Sequence, residues 1–319
     1  MATLMTDLPD LCIVVPAHNE RDSLPILVHE LQQHLSPAGV SFELLVVDDG
    51  STDDTVDVMR GLVRTFSFIR GVRLSRNFGH QAALSVGLRY ARGHAVAIMD
   101  ADLQDKPEDL LRLYQRWKSG ADVVYAVRRS RREGLLLRAC YRLFYRMLTS
   151  TASFPIPVDS GDFCVMSGTF ADRLNALPER LRYLRGLRAW LGGTQVAVPV
   201  DRAARRAGQP QYTIAKLMRL AVDGMVSFSY VPLRVASTVG FIVAMLSFMG
   251  AAVVVAWKLL GLLPSGAGVA TIALAMFFLG AVQLLSIGIV GEYLGRVFDE
   301  VKARPVAVVI EEIGHSDRG

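Results

Sequence analysis

Five short apolar runs, each closed by a polar cluster, set the rhythm of the first half of the chain. They are LCIVV (11–15), ELLVV (43–47), GVRL (71–74), AVAIM (95–99) and DVVYAV (122–127). Continuous, Val- and Ile-rich runs of this length suit strands covered on both faces. Helix-like segments separate them: Ser23–Leu35, Asp53–Thr65, His80–Ala91 and Pro107–Lys118. Pro107 suits a first helical turn, and Glu108 and Asp109 behind it suit the positive end of the helix dipole. Alternation of strand and helix predicts an α/β fold built on an open, mostly parallel sheet.

The polar clusters that close the runs are PAHNE, DDGSTDD, SRNFGH, DADLQD and RRSRR. Ligands of open α/β sheets bind outside the carboxyl ends of the strands, so all five clusters are expected along one edge. Any single cluster reads equally well as a loop; five in succession point to a site.

The last third follows a different pattern. Val235–Trp257 and Thr271–Val290 carry no charge, and each is long enough to cross a bilayer core of about 30 Å. LLGLLPSGAG between them is short, so the two runs are expected to form a transmembrane hairpin. The competing reading is a pair of buried core helices. Arg234 precedes the first run, and Arg296, Lys302 and Arg304 follow the second. The positive-inside rule then places both ends of the hairpin in the cytoplasm. Gly280 and Gly288 permit close helix packing and hence a homo-oligomer. Two further segments have the mixture of an interfacial helix. LLLRACYRLFYRML (135–148) sets Arg138, Arg142 and Arg146 four apart on one face, and 212–234 mixes basic and apolar residues just before the first run.

Composition narrows the picture. The 319 residues are 51% hydrophobic and carry a net charge of +5, enough for a large domain plus membrane elements. Such a charge suits nucleic acid, anionic lipid or phosphate-bearing ligands; the membrane pattern selects the last two, and no nucleic-acid partner is expected. Cys12, Cys140 and Cys164 form no CxxC pair, which argues for a reducing compartment and against a zinc site. MATLMTDLPD has neither a basic n-region nor an apolar h-region, so no cleaved signal is expected and the N-terminal part stays cytosolic. No solenoid repeat or low-complexity tract is present.

The sharpest chemistry lies in VAIMDADLQDKPEDL, where an apolar run ends in Asp100-Ala101-Asp102. In an extended segment residues i and i+2 point the same way, so the two carboxylates are expected to converge, with small Ala101 leaving room. Hard divalent cations take oxygen ligands, commonly one or two carboxylates plus substrate phosphates. Asp48 and Asp49 end another run, where acceptors can hold ribose hydroxyls or base N–H groups; Ser51 or Thr52 then caps the helix that follows. No GxGxxG follows a run and no GxxxxGK[ST] exists, which removes a dinucleotide fingerprint and a P-loop. The histidines lack HExxH spacing, and His80 is expected to start a helix and bind nothing.

Taken in order, VVPAHNE, VVDDGSTDDT, RNFGHQAAL and MDADLQDKPEDL resemble the family 2 glycosyltransferases of the dolichol-phosphate-mannose-synthase type. The likeness is greatest to bacterial polyprenyl-phosphate (bactoprenol) glycosyltransferases. PIPVDSGDFCVMS, LRYLRGLRAW and the two-span tail fit as well, so it covers nearly the whole chain. The resemblance implies a GT-A fold, with a Rossmann-like, mostly parallel sheet. It also implies a nucleotide-sugar donor (UDP-glucose favoured), Mg2+ or Mn2+, and inverting transfer to polyprenyl (undecaprenyl) phosphate. The reaction would take place on the cytosolic face of the inner membrane and serve a cell-envelope glycan. The implied organisation is a cytosolic GT-A domain (1–211), interfacial helices (212–234), a transmembrane hairpin (235–292) and a cytosolic tail (293–319).

By position, Pro16, Ala17, Glu20 and Asp49 line the nucleotide pocket with Asp48 beside them. Asp100 and Asp102 hold metal and diphosphate, with Ala101 between and Gln104 adjacent. Arg128 and Arg205 contact phosphates, and Arg138, Arg142 and Arg146 face the lipid. Asp162, or else Asp159, orients or deprotonates the acceptor, and Asp102 completes the catalytic carboxylates. Two departures stand out. RRAGQPQY keeps Arg205, Gly208 and Tyr212 of an R-x-x-G-x-[ST]-K-Y element but has Pro210 and Gln211 in place of the hydroxyl residue and lysine. Cys164 stands where arginine is expected. GDP-mannose or another UDP-sugar remains open as donor, as does a catalytically weak membrane scaffold. A processive synthase is disfavoured by the absence of QxxRW and by only two spans.

Overall fold

The computed structural model describes residues 8–128, 160–180, 182–201, 231–261 and 268–314. All five apolar runs are strands: β1 (Leu11–Ala17), β2 (Phe42–Asp48), β3 (Ile69–Leu74), β4 (Ala95–Ile98) and β5 (Val123–Arg128). The four intervening helices follow the periodicity to within two residues: α1 (Ser23–Leu35), α2 (Thr55–Thr65), α3 (His80–Tyr90) and α4 (Pro107–Trp117). Pro107 opens α4 with Glu108 and Asp109 in its first turn. Beyond them come β6 (Ser160–Ser167), α5 (Gly168–Asn175), α6 (Leu184–Leu191), β7 (Gln195–Val200), α7 (Val231–Leu259), α8 (Val269–Val301) and β8 (Val309–Ile313).

The strands form one sheet in the order β7-β5-β6-β4-β1-β2-β3-β8. The pairs β1–β2, β1–β4, β2–β3 and β5–β7 are parallel, while β6 and β8 run antiparallel to their neighbours. Strand alternation divides the side chains between two cores. Leu11, Ile13, Val15 and Ala17 pack beneath α1, α2 and α4, while Cys12 and Val14 face α3, α5 and α6. Both faces are dry, so β1 reads as a continuous apolar run with no polar alternation. Each fully buried Leu, Ile or Val contributes about 1.5–3 kcal/mol.

Helix α3 lies close on the sheet at Gly87. A Cβ there would sit 2.3 Å from Val14 Cγ1 and 3.0 Å from Val47 Cγ2. Gly87→Val is therefore expected to cost about 2–3 kcal/mol, a fall of roughly 5–10 °C in the melting midpoint. An unchanged tryptophan-fluorescence melt would contradict this packing.

β8 comes from the C-terminal segment and covers the β3 edge, with a register shift between Arg73 and Leu74. Arg60 clamps it through Nε to Glu311 Oε1 (3.3 Å) and Nη2 to Glu311 Oε2 (2.7 Å). The described residues up to 201 accordingly form one compact unit with 304–314.

A second unit holds α7 and α8, which contact each other. Their apolar windows, Leu233–Val254 and Ala275–Val301, have mean hydropathy 2.0 and 1.7, and none of the described residues in them is buried. Phe248 and Phe277 are 80% and 79% exposed. A core helix would bury such side chains, so the buried-core reading does not apply to this unit taken by itself. By length and composition both helices can cross a membrane. Asp159, Arg138, Arg142, Arg146, Arg205, Gly208, Pro210, Gln211, Tyr212 and Cys140 lie outside the described residues, as does most of the proposed interfacial helix 212–234.

Candidate active site

From β1 the chain runs through α1 to β2 on one side, then through β3 and α3 to β4, which pairs with β1 on the other. The crevice outside the carboxyl ends of β1 and β4 is therefore the switch point of the sheet. Pro16 and Ala17 are buried at the end of β1, and Ala17 pairs in register with Asp48 of β2. Just beyond, Asn19 stitches two loops together. Its backbone N–H donates to Ser51 Oγ (2.9 Å), and its Oδ1 accepts from the Thr52 N–H (2.9 Å). The left-handed φ of 59° that this requires is tolerated best, among residues with a side chain, by Asn and Asp. Glu20 donates its N–H to Thr55 Oγ1 (2.9 Å), and its carboxylate accepts from the Ser23 hydroxyl.

Asp48 and Asp49 are both buried. Asp48 accepts from the Ser51 N–H and lies 4.0 Å from Arg73 Nε. Burial pushes its carboxyl up, against the pull of Ser51 and Arg73. Asp49 is turned toward the next loop: Oδ1 accepts from the Phe78 N–H (2.7 Å) and Oδ2 from the Gly79 N–H (2.9 Å). Both of its oxygens therefore hold the segment that opens α3. Gly50 makes this approach feasible. Its φ is 62°, and a Cβ would fall 2.3 Å from the Arg76 carbonyl carbon.

The Asp100-Ala101-Asp102 segment differs from its expected geometry. β4 ends at Ile98, and residues 101–102 form a turn, so strand alternation does not align the two carboxylates. Leu103 follows at φ 60°, a left-handed conformation rare for a leucine, and its side chain packs against the core. Asp102 Oδ1 accepts from the Gln104 N–H at 3.1 Å. Asp100 and Asp102 are partly buried and Ala101 fully so. Both acidic residues offer hard oxygen donors, the set that suits Mg2+ or Mn2+ when substrate phosphates supply further ligands. Among the described residues no three His, Cys, Asp or Glu side chains form a protein-only cage.

The antiparallel register of β6 on β4 brings a third carboxylate to this turn. The β4–β6 ladder ends at Ile98 and Cys164, and Asp100 and Asp162 each lie two residues from that rung, at the same end of the pair. Asp162 is buried, yet Arg185 Nε donates to its Oδ1 (2.8 Å), while Arg185 Nη2 (2.9 Å) and Gln81 Nε2 (3.0 Å) donate to its Oδ2. His80 Nε2 lies 3.5 Å from Asp162 Oδ2 and 3.7 Å from Asp100 Oδ1. Burial alone would raise the Asp162 pKa, but His80 and Arg185 outweigh it and hold the carboxyl well below the usual carboxylate range. His80 shifts the opposite way. Burial disfavours its charge, and the Asp162 hydrogen bond and the Asp100 and Asp162 charges overcome that. The geometry is that of a carboxylate fixing a guanidinium and an imidazole beside the carboxylate turn.

His80 does start α3, as its sequence context suggests, but it also joins this cluster. Gln81, Arg185 and Asn19 are the other residues that sequence reasoning passed over. Each lay in a segment already noted (RNFGHQ, LRYLRGLRAW, PAHNE), and only their partners were missing. Cys164 is fully buried in the second core, where burial pushes its thiol up. Arg188 of α6 stacks 4.8 Å from the Tyr125 ring. Arg128 is the last residue of β5 and pairs with Val200.

This chain is 41% identical to "Uncharacterized glycosyltransferase sll0501" of Synechocystis sp., over 94% of each chain. It is 35% identical to "SfII prophage-derived bactoprenol glucosyl transferase" of Shigella flexneri, over 94% of this chain and 97% of that one. Among solved structures, the mannosyltransferase PcManGT from Pyrobaculum calidifontis in complex with GDP-Man and Mn2+ is 20% identical, with a TM-score of 0.46 over 91% of this chain and 88% of that one. The family model described as "Glycosyl transferase family 2" matches residues 12–174, which run from β1 through the DADLQD turn and β6 to α5. With its strand-end carboxylates set on a mostly parallel α/β sheet, the chain belongs to glycosyl transferase family 2.

Proposed function

We propose that this chain transfers a sugar, with inversion, from a nucleotide-sugar donor to polyprenyl (undecaprenyl) phosphate at the cytosolic face of the inner membrane. UDP-glucose is the favoured donor. The observation that carries the reading is the extent of the likeness to bactoprenol glucosyl transferases. It covers 94% of this chain, the exposed apolar helices α7 and α8 included. A likeness confined to the sheet would support a sugar transferase and nothing about a lipid.

The chain's own residues divide the work as follows. Pro16, Ala17, Glu20, Asp48 and the loop pinned by Asp49 form the nucleotide end. Asp100 and Asp102, with Gln104 beside them, form the diphosphate end; the two carboxylates would hold the divalent ion, which would supply charge neutralisation for the departing diphosphate. An acceptor phosphate oxygen attacks the anomeric carbon. The new C–O bond forms as the bond to the donor diphosphate breaks, and the electron pair leaves with the nucleoside diphosphate. A phosphomonoester with a second pKa of about 6 is already largely dianionic at neutral pH, so a strong base is unnecessary. Asp162 suits that chemistry as an anchor that stays ionised at neutral pH: it sets Arg185 and His80 near the phosphates and is a poor proton acceptor. Arg128, Arg205 and the Arg138, Arg142, Arg146 face complete the phosphate and lipid-headgroup contacts in this reading.

The test is a donor screen with full-length protein in bilayers containing undecaprenyl phosphate, with radiolabelled UDP- and GDP-sugars. Label from UDP-glucose should enter an organic-extractable, acid-labile lipid. Label from GDP-mannose alone would change the donor, and no lipid label from any donor would refute the transfer. Cutting the chain before Arg234 is a poor substitute, because it also removes β8 and uncovers β3.

A further inference from the structure

We infer that Gln81 is a positioning residue for the transfer, its amide locking the Asp162 carboxylate to the start of α6; this rests on the glycosyl transfer proposed above. The amide is read at both ends by groups of fixed polarity. The Leu184 backbone N–H can only donate, and it meets Gln81 Oε1 at 3.1 Å. The ionised Asp162 can only accept, and its Oδ2 meets Gln81 Nε2 at 3.0 Å. One side chain therefore fixes the carboxylate on β6 and also the first residue of the helix that carries Arg185. Arg185 then closes the ring on both Asp162 oxygens.

The ring is tied to the donor side of the crevice. Asp49, at the end of β2, holds the N–H groups of Phe78 and Gly79. His80 follows, 3.7 Å from Asp100, and Gln81 comes next. Short contacts thus run from the β2 end through the first turn of α3 to β6 and α6. Gln81 is where that path reaches Asp162. Without the amide, the carboxylate keeps Arg185 but loses the donor that sets its rotation, and α6 loses a tie at its first N–H. Arg185 and His80 would then be misplaced relative to the phosphates, an error that affects the rate more than donor binding.

The experiment is steady-state transfer by full-length protein in undecaprenyl-phosphate bilayers, with melting curves alongside, for Gln81→Met, Gln81→Glu, Asp162→Asn and the Gln81→Met/Asp162→Asn double variant. Gln81→Met should lower kcat about tenfold and leave the donor KM within twofold. Gln81→Glu sets a second carboxylate against Asp162 and should lose about a hundredfold. On the Asp162→Asn background, Gln81→Met should cost clearly less than on the parent, about threefold, because the charge it orients is gone while its tie to the Leu184 N–H remains. If Gln81→Met unfolds, the same cycle is read on Gln81→Asn, which keeps the amide one methylene shorter and should show a smaller but equally non-additive loss. Wild-type-like kcat, a tolerated Gln81→Glu, full additivity, or a donor KM that moves as far as kcat would overturn the inference while the wild type still labels lipid. A wild type that labels no lipid overturns the functional reading and this inference together.

Discussion

Asp102→Asn is expected to fold like the parent chain and to lose transfer by about a hundredfold to a thousandfold, the scale seen when a site built to stabilise a developing anion loses one of its stabilising groups, here the cation that Asp102 would hold. Asp102 lies in the turn that follows β4, partly buried, with one oxygen accepting from the Gln104 N–H. Asparagine keeps that acceptor and the shape of the side chain, so little stability should be lost. What disappears is a negative hard-oxygen donor at the place where the departing diphosphate is proposed to sit. Treating the parent chain with EDTA should produce the same loss, and adding Mg2+ or Mn2+ back should reverse it. Undiminished transfer after the metal is stripped, or an active Asp102→Asn chain with an unchanged melt, would end the metal assignment.

Arg185→Met is expected to have the largest effect on stability among the charged cluster. It leaves the buried Asp162 carboxylate without its bidentate partner, while Gln81 and His80 remain. Breaking a buried pair costs about 3–5 kcal/mol. The Arg185 side chain is 34% exposed, so solvent screening brings the figure to about 2–3 kcal/mol. The pH dependence has a definite sign. The folded-state pKa of Asp162 is depressed below its unfolded value of about 3.9, so its contribution is fully present above about pH 4 and is lost as pH falls further. The gap between parent and variant in urea unfolding should therefore be wide at pH 7 and shrink below pH 4. A gap that stays constant down to pH 3, or no gap at pH 7, would show that Asp162 does not depend on Arg185. Transfer should fall at least tenfold in the same variant, because Arg185 is the guanidinium that Asp162 holds beside the Asp100 turn.

Much of the scaffold was legible before any coordinates, and the reason lies in its dry sheet. β1 and β4 are buried on both faces and register as unbroken apolar runs, β2 nearly so, while β3 is interrupted by the partly buried Arg70 and Arg73; the helices between them show their own periodicity. α7 and α8 were equally plain, since nothing but length and the uncharged runs 235–257 and 271–290 within them is needed to see them. β6 was harder. SGDFCVMS contains Gly161 and Asp162, and its strand character comes from pairing with β4 on one side and β5 on the other. β8 was harder still, because VIEEI is an edge strand with two glutamates, one of which is ion-paired to Arg60 on α2.

By itself the sequence determined which residue types stand at the strand ends, and hence the family, because an apolar run and the polar cluster that closes it are local facts. Only the tertiary structure decided which of those residues meet. Leu103 takes a left-handed φ because the turn needs it and the core accepts its side chain, and no pattern of types reports a dihedral angle. Asp100 and Asp162 come to the same end of the sheet because two strands far apart in the chain pair antiparallel. His80 came to lie between those carboxylates because Asp49 holds the loop ahead of it by two backbone hydrogen bonds. Charges set together in this way shift each other's protonation through distances of a few ångströms, and those distances are a property of the folded chain alone.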